Sequence, residues 1–308
     1  MKKTGPLLAA ILFVVVIIGI CVGSVIYANS DFHLFDRLGW HYQTKGAELR
    51  NTIELDTTDA TRLEITYGSD DVYFYQGESN QIVVKEYLLS DAESAQASVT
   101  QTQDDIRIQG GYTNYWMPMF WFGGQEHIDI YLPAEMLAAL KIKIQSGNVY
   151  ADMVMEAPEM ELQVSSGNIE FQELRAQNLT VDVSSGNIEI ERIQTESGRL
   201  DVRSGDIDIY EYTGVLDARV TSGNIDLYMK ELTGDIDVSC KSGNIDLYLP
   251  SDSAFTFTSR VSSGDVDSDF EGIMYDSDGR AGSGTVGKNP QYTVSVDVTS
   301  GNVNLEQR

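Results

Sequence analysis

The sequence has few residues of the kinds that build metal sites, disulfide frameworks or nucleic-acid surfaces. Its 308 residues include only 3 His and 2 Cys, which argues against Cys/His metal sites and against a disulfide framework. Lys and Arg number 21 against 47 Asp and Glu, which gives a net charge of −26, whereas phosphate backbones are bound by Lys and Arg. The composition therefore excludes a nucleic-acid partner, and 42% apolar residues suffice for a sizeable core.

The longest apolar run of the chain lies near its N-terminus. Lys2 and Lys3 precede an uncharged segment from Leu7 to Ala28. A helix of this length reaches about 33 Å and crosses a hydrocarbon core of about 30 Å. The two lysines favour a cytoplasmic N-terminus. The sequence therefore predicts a single-pass cell-membrane protein with an extracellular C-terminal domain. A cleaved signal peptide is the alternative, although its apolar core is usually shorter than this run.

A short motif repeats through the second half of the chain. Ser-Gly-Asn or a close variant recurs every 17–21 residues, with its glycine at positions 147, 167, 186, 205, 223, 243, 264, 284 and 301. Apolar residues alternate with polar ones on both sides, as with Val181 and Val183 before Gly186 and Ile188 and Ile190 after it. Period-two alternation around a glycine indicates two short strands joined at a corner. The repeat predicts an all-β fold, a right-handed parallel β-solenoid with coils of 18–21 residues.

The pattern divides the chain into four regions. They are a cytoplasmic stub and transmembrane anchor (1–28), a juxtamembrane connector (29–52), an N-terminal β region (53–145) and the repeat solenoid (146–308), which continues the β region. Tyr67-Gly68-Ser69-Asp70 resembles a degenerate corner, and short helices are predicted over Ser90–Ala97 and Ala134–Leu140. Cys240 takes a position that valine holds in other coils, which predicts a buried side chain rather than a reactive thiol.

The repeat resembles a bacterial family of Ser-Gly-Asn β-strand-repeat domains of unknown function that carries the name "putative adhesin". The resemblance covers roughly residues 53–305 and includes the segments Tyr248–Pro250, Ser262–Val266 and Val296–Val303. It implies a β-solenoid fold and transfers no catalytic residue. Because membrane-anchored members occur in envelope-stress operons, it implies a role at the cell surface or in envelope stress.

Acidic side chains recur at the third position after the glycine of six coils: Glu170, Glu189, Asp208, Asp226, Asp246 and Asp267. Coils in register lie about 4.8 Å apart, so these side chains are expected to form an outward column of like charges. Two interpretations are open. Either solvent, salt and the basic residues Arg203, Arg219 and Lys241 screen the column, or divalent cations or a polycation neutralise it.

A denser acidic group follows in residues 265–279, with Asp265, Asp267 and Asp269 at alternate positions. Oxygen ligands at such positions suit Ca²⁺, but Phe270 stands where an EF-hand loop needs glycine. The segment is either a surface turn or a calcium loop. Together with the column, it makes Ca²⁺ the candidate cofactor. The candidate metal ligands are Asp208, Asp226, Asp246, Asp265, Asp267 and Asp269.

The segment Tyr112–Gly124 is rich in aromatic residues although it falls between two predicted strands. Loops are normally polar. The segment is either a flap that packs on the solenoid or a surface that contacts the membrane, a glycan or a partner protein. The candidate contact residues are Tyr115, Trp116, Phe120, Trp121 and Phe122.

No arrangement of residues in the sequence points to catalysis. The three histidines, at positions 33, 41 and 127, have no recognisable nucleophile or acid beside them. The predicted function is a non-catalytic binding or structural module at the bacterial cell envelope. Its expected partners are the membrane, through the N-terminal helix, and an envelope protein or glycan. Two alternatives stay open: a β-helix enzyme that acts on an envelope polysaccharide, and a sensory ectodomain for a membrane partner.

Overall fold

The computed structural model describes residues 46–58, 60–78, 80–112, 126–133 and 137–308. They belong to one compact unit, Thr44–Arg308. Within these ranges, no helix is long and apolar enough to cross a membrane. The predicted anchor (1–28) lies outside the described residues. Strand β1 begins at Glu48, inside the segment predicted as a connector.

The described residues form an all-β structure with one 3₁₀ turn at Glu93–Ala95. The strands of the N-terminal part are β1 (Glu48–Asp56), β2 (Arg62–Tyr67), β3 (Asp71–Gln76), β4 (Gln81–Leu88), β5 (Ser98–Gln101), β6 (Asp105–Gln109), β7 (His127–Leu132), β8 (Ala139–Ile144), β9 (Val149–Glu156) and β10 (Glu159–Val164). Those of the middle are β11 (Ile169–Val183), β12 (Ile188–Ser204), β13 (Ile207–Ser222), β14 (Ile225–Met229), β15 (Ile236–Ser242) and β16 (Ile245–Leu249). The C-terminal strands are β17 (Phe255–Ser263), β18 (Val266–Ser268), β19 (Ile273–Tyr275), β20 (Ala281–Val286), β21 (Tyr292–Ser300) and β22 (Val303–Gln307).

The strands stack in two ladders that meet at the glycine corner. Ladder A holds the strands before the corner, in the order β5-β6-β2-β8-β10-β11-β12-β13-β15-β21-β17-β20-β19. Ladder B holds those after it, in the order β1-β4-β7-β3-β9-β11-β12-β13-β14-β16-β22-β18. The long strands β11, β12 and β13 run through both ladders. Pairing is parallel through the middle, so the predicted all-β, solenoid-like architecture is confirmed; its handedness stays a prediction.

The corner is held together by glycine and asparagine. Its glycines have φ between +134° and +143°, and a Cβ on Gly186 would lie 1.9 Å from the Gly167 carbonyl oxygen. Only glycine accepts such a conformation and such close stacking. The next residue in each coil accepts a hydrogen bond at its side-chain oxygen from the following coil's backbone N–H, over 2.6–3.1 Å. The series runs Asp71, Asn148, Asn168, Asn187, Asp206, Asn224, Asn244, Asn302, Asp265. The first of these bonds runs from the Asn148 N–H to Asp71, the residue after the predicted Tyr67–Asp70 corner, and the Asp70 carbonyl stacks directly on Gly147.

At both ends of the stack, the order of coils in space differs from their order in sequence. Strands β21 and β22 insert between β15/β16 and β17/β18. At the other end, β2 and β3 lie between β6/β7 and β8/β9. Antiparallel strands lie outside the outermost coils: β4 and β5 pair with β7 and β6 at one end, and β20 pairs with β17 and β19 at the other. They cover edges that would otherwise template aggregation.

Three local predictions need correction. Gly284 is not a corner: it lies in β20, paired antiparallel with β17, and its φ is not in the left-handed region. The helix predicted over Ser90–Ala97 is limited to the 3₁₀ turn. The described residues of the predicted helix Ala134–Leu140 lead into strand β8. Leu140, Ile142 and Ile144 alternate as buried residues in this strand, which pairs with β2 and β10.

The core fills the space between the two ladders with the inward residues of the repeat. Val181, Val183, Ile188 and Ile190 are all buried, and so is Cys240, in agreement with its prediction as a buried side chain. Each fully buried aliphatic side chain stabilises the fold by about 1.5–3 kcal/mol. The coils are therefore fixed from the inside, while every second residue is left to face outward.

Candidate functional site

The outer side of ladder B carries two neighbouring columns of side chains, which we call the acid–tyrosine face. One column consists of carboxylates in direct register across successive strands: Glu170, Glu189, Asp208, Asp226 and Asp246. The other lies two residues further along each strand and consists of tyrosines: Tyr210, Tyr228 and Tyr248. The predicted outward column of like charges is thus present in the structure.

The tyrosine column is a stack of phenol rings. Tyr228 and Tyr248 are parallel within 4°, with ring centroids 4.0 Å apart, and Tyr210 follows at 6.1 Å from Tyr228. Tyr210 is 44% exposed. The guanidinium carbon of Arg308 lies 6.0 Å from the centre of the Tyr228 ring. The column therefore already accommodates one cationic group of the chain itself.

The crowding of the carboxylates changes their acidity. Burial, followed by the charges of Asp206 and Glu189, raises the pKa of Asp208 to about 6. Burial, followed by repulsion from Asp208 and Asp246, raises the pKa of Asp226 to about 7. Near neutral pH the centre of the column is thus partly protonated, and any cation placed there would favour its ionised form.

No ion pair between described residues neutralises Asp208, Asp226 or Asp246. The basic residues considered as screening partners, Arg203 and Lys241 among them, lie on the outer side of ladder A instead. That part of the screening interpretation is wrong. Further along the same strands, Glu173, Arg192 and Glu211 form another column in register, and its carboxylates are neutralised. Arg192 donates to Glu173 over 2.6 Å and to Glu211 over 3.0 Å. Burial acts to raise the pKa of Glu173, but the hydrogen bonds that this carboxylate accepts from Arg192 and Arg175 outweigh burial and lower the pKa.

The inserted strand β22 interrupts the acidic column at its C-terminal end. Asn304 lies in register between Asp246 and Asp267, and its amide nitrogen donates to the Asp246 carboxylate. The sequence analysis placed Asp267 directly after Asp246 because it followed the chain order. The asparagine removes one like-charge contact at that point.

The residues of the predicted calcium loop serve other contacts in the structure. Asp265 takes its place at the end of the corner series, Asp267 accepts from the Ser268 N–H over 2.9 Å, and the backbone carbonyl of Asp269 accepts from Gln307. Phe270 is buried edge-on against Phe255. In the described ranges, no three His, Cys, Asp or Glu side chains are grouped so that they could hold a metal ion.

A buried acidic side chain near the N-terminal end escaped the sequence analysis. Glu86 is fully buried and accepts hydrogen bonds from Tyr67 Oη, the Ala97 N–H and Asn51 Nδ2, at 3.1, 2.9 and 2.7 Å. The alternation of β4 could have indicated this burial, because Glu86 falls on the inward positions of the strand.

The aromatic contact residues Tyr115, Trp116, Phe120, Trp121 and Phe122 lie outside the described residues, while Tyr112, just before them, is 69% exposed.

A family model matches residues 60–306, most of the chain. The chain belongs to the Toastrack DUF4097 family. A crystal structure from Parabacteroides distasonis, described as a putative adhesin, shares this Toastrack fold with a TM-score of 0.51 and 12% identity over 84% of this chain and 98% of that one. A Bacteroides fragilis protein of the same description has a TM-score of 0.48 and 12% identity, over 84% of this chain and 96% of that one. At such identities the likeness concerns the fold alone. No curated protein matches the sequence.

Proposed function

We propose that this chain is a non-catalytic binding module on the outer face of the bacterial cell membrane, where its acid–tyrosine face binds a cationic envelope partner. The observation that carries the proposal is the in-register set Asp208, Asp226 and Asp246, which makes no ion pair with a described residue. On the same coils, by contrast, Arg192 stands between Glu173 and Glu211 and forms ion pairs with both.

Electrostatics gives such a face a preference for cations. Like charges opposed on neighbouring strands cost up to about 1 kcal/mol per pair, and a bound cationic group removes that repulsion. The tyrosine rings add cation–π contacts of roughly 0.5–1 kcal/mol at exposed sites. A polycation spans several coils at once, whereas Ca²⁺ needs several ligands around one point. The extended column therefore favours a polycation over the calcium ion that we also considered.

The membrane location in this proposal rests on the sequence. Lys2, Lys3 and the apolar run support an uncleaved anchor, which predicts that the chain stays with membranes after carbonate washing and that external protease digests the repeat. Recovery of a soluble chain that begins near residue 29 would contradict it.

His127 stacks on Tyr87 at 4.3 Å and meets Tyr73 edge-on, and burial lowers its pKa. These contacts support a packing role for this histidine.

The test measures binding of fluorescent poly-lysine to the purified full-length chain in detergent. One variant combines Asp208→Asn, Asp226→Asn and Asp246→Asn. A control combines Glu54→Gln, Asp91→Asn and Asp252→Asn, which remove the same charge from exposed positions outside the face. We expect the first variant to bind about tenfold more weakly, since three exposed ion pairs at ~0.5 kcal/mol each amount to ~1.5 kcal/mol. Equal losses in both variants would overturn the proposal.

A further inference from the structure

A groove of about 800 Å³ crosses the outer side of ladder A, on the other side of the corner from the acid–tyrosine face. Its lining comes from five strands in register, β11, β12, β13, β15 and β21, and it ends at β17. We call it the ladder A groove. The outward residues of the lining are cations, hydroxyl groups and a few carboxylates, and between them the groove touches the edges of buried inward residues: Val183, Val202, Val220, Cys240 and Val298.

Three of the four cations that line the ladder A groove stand two strands apart. Arg203, Lys241 and Arg260 lie on β12, β15 and β17, which are every second strand of the ladder. Arg203 and Lys241 share one column and are separated by about 9.6 Å, whereas Arg260 lies in the adjacent column, opposite Asp297. All three side chains are exposed, and none forms an ion pair with another described residue. They form a positive group in a chain of net charge −26.

The acidic residues of the groove are largely engaged elsewhere. Asp201 pairs with Arg199 over 2.5 Å, outside the groove lining, and Arg219 pairs with Asp217 over 2.8 Å. Asp182 and Asp297 are the remaining acids of the lining. Burial, followed by the charge of Asp201, raises the pKa of Asp182. The lining thus holds four cations against three carboxylates, and three of the cations make no ion pair with a described residue, which favours an anionic ligand.

Hydroxyl side chains lie between and beside the cations in both columns of the groove. Thr221, Ser239, Thr299 and Ser262 all line the groove. Hydroxyls donate and accept hydrogen bonds and thus match the hydroxyls of a sugar chain. The lining contains no aromatic residue, whereas single-stranded nucleic acids are usually held by stacking of their bases on aromatic rings. The chemistry favours a polysaccharide over a nucleic acid.

We propose that the ladder A groove binds a linear anionic polysaccharide that runs along the stack, across the strands. Its acidic groups meet Arg203, Lys241 and Arg260, and its hydroxyls meet the serines and threonines between them. This inference is independent of the proposed function of the acid–tyrosine face, since the two surfaces share no residue.

The experiment uses the purified full-length chain in detergent and heparin, a linear anionic polysaccharide, as the probe. One variant combines Arg203→Gln, Lys241→Gln and Arg260→Gln. The control combines Arg50→Gln, Arg107→Gln and Lys288→Gln, which removes the same charge from exposed positions outside the groove. Melting temperatures verify that each variant is folded. Neutral dextran, polyphosphate and single-stranded DNA are the comparison ligands.

We expect the groove variant to bind heparin about tenfold more weakly than the parent, and the control to stay within about twofold. The parent should bind heparin more tightly than polyphosphate or DNA and should not bind dextran. The affinity should fall as salt is added, because the cations are exposed. Three outcomes would overturn the inference: no heparin binding by the parent, equal losses in the two variants, or tighter binding of polyphosphate or DNA than of heparin.

Discussion

The acid–tyrosine face and the ladder A groove lie on the same coils, on either side of one corner, and differ in charge. Strands β12 and β13 contribute to both, with Asp208 on one side and Arg203 and Arg219 on the other. Their inward residues are mostly aliphatic, and the exceptions are the buried Tyr212 and Thr195. The comparison teaches that the inward positions and the corner specify the coil. The outward positions are free to vary, and here they differ systematically between the two ladders.

Changing the corner should break both faces together, and this is the largest effect we expect. In Gly186→Ala, the new Cβ would lie 1.9 Å from the Gly167 carbonyl oxygen at φ +139°. Backbone strain and overpacking together should cost about 3–5 kcal/mol of unfolding free energy in a urea titration. Gly68→Ala is the matched control, because a Cβ there meets nothing within 4 Å. Similar losses in both variants would contradict the role assigned to the corner.

Changing the acid column should affect one face only, through its pH dependence. Because the folded-state pKa of Asp226 is raised to about 7, the folded chain binds more protons than the unfolded chain between about pH 4 and 7. The melting temperature of the parent should therefore fall as the pH rises through this window. Asp226→Asn should flatten the decrease and be the more stable form at pH 8, whereas the exposed control Asp252→Asn should follow the parent. If the melting temperature of Asp226→Asn depends on pH in the same way as that of the parent, the claim that crowding raises the pKa of Asp226 is refuted.

A volume-conserving change inside the shared core should leave both faces intact, and it is the smallest effect that we expect. Cys240 is buried, and it stands in register with Val220 and Val298. Cys240→Val should change the unfolding free energy by less than about 1.5 kcal/mol, since the volume is nearly conserved. Cys240→Asp should be strongly destabilising because it buries a charge. Thermal melts of the two variants test this difference, and a large loss in Cys240→Val would show that the thiol has a further role.

The middle coils could be predicted from the sequence, and the ends could not. Alternation around Gly186 fixes which residues face inward, and burial enforces that choice locally. The position of β21 depends on its pairing with β15 and β17 at once, which no local pattern encodes. For this reason the sequence predicts a corner at Gly284, which the structure does not have, and gives no sign of Asn304 beside Asp246.

The acid column was predictable, whereas the ladder A groove was missed. Both depend on outward positions, the acid column on those after the corner glycine and the groove on those before it. Arg203 and Lys241 both stand two residues before a corner glycine, which places them in one column. What the sequence lacked was the order of the last coils, which sets Arg260 two strands beyond Lys241.

The central claim, that the two faces bind ligands of opposite charge independently, is tested most directly by one crossed binding measurement. Poly-lysine and heparin are each titrated against the full-length parent, the acid-face triple variant and the groove triple variant. The account predicts that the acid-face variant loses about tenfold in poly-lysine affinity alone and the groove variant about tenfold in heparin affinity alone. A variant that loses affinity for both ligands equally, or for neither, would contradict it.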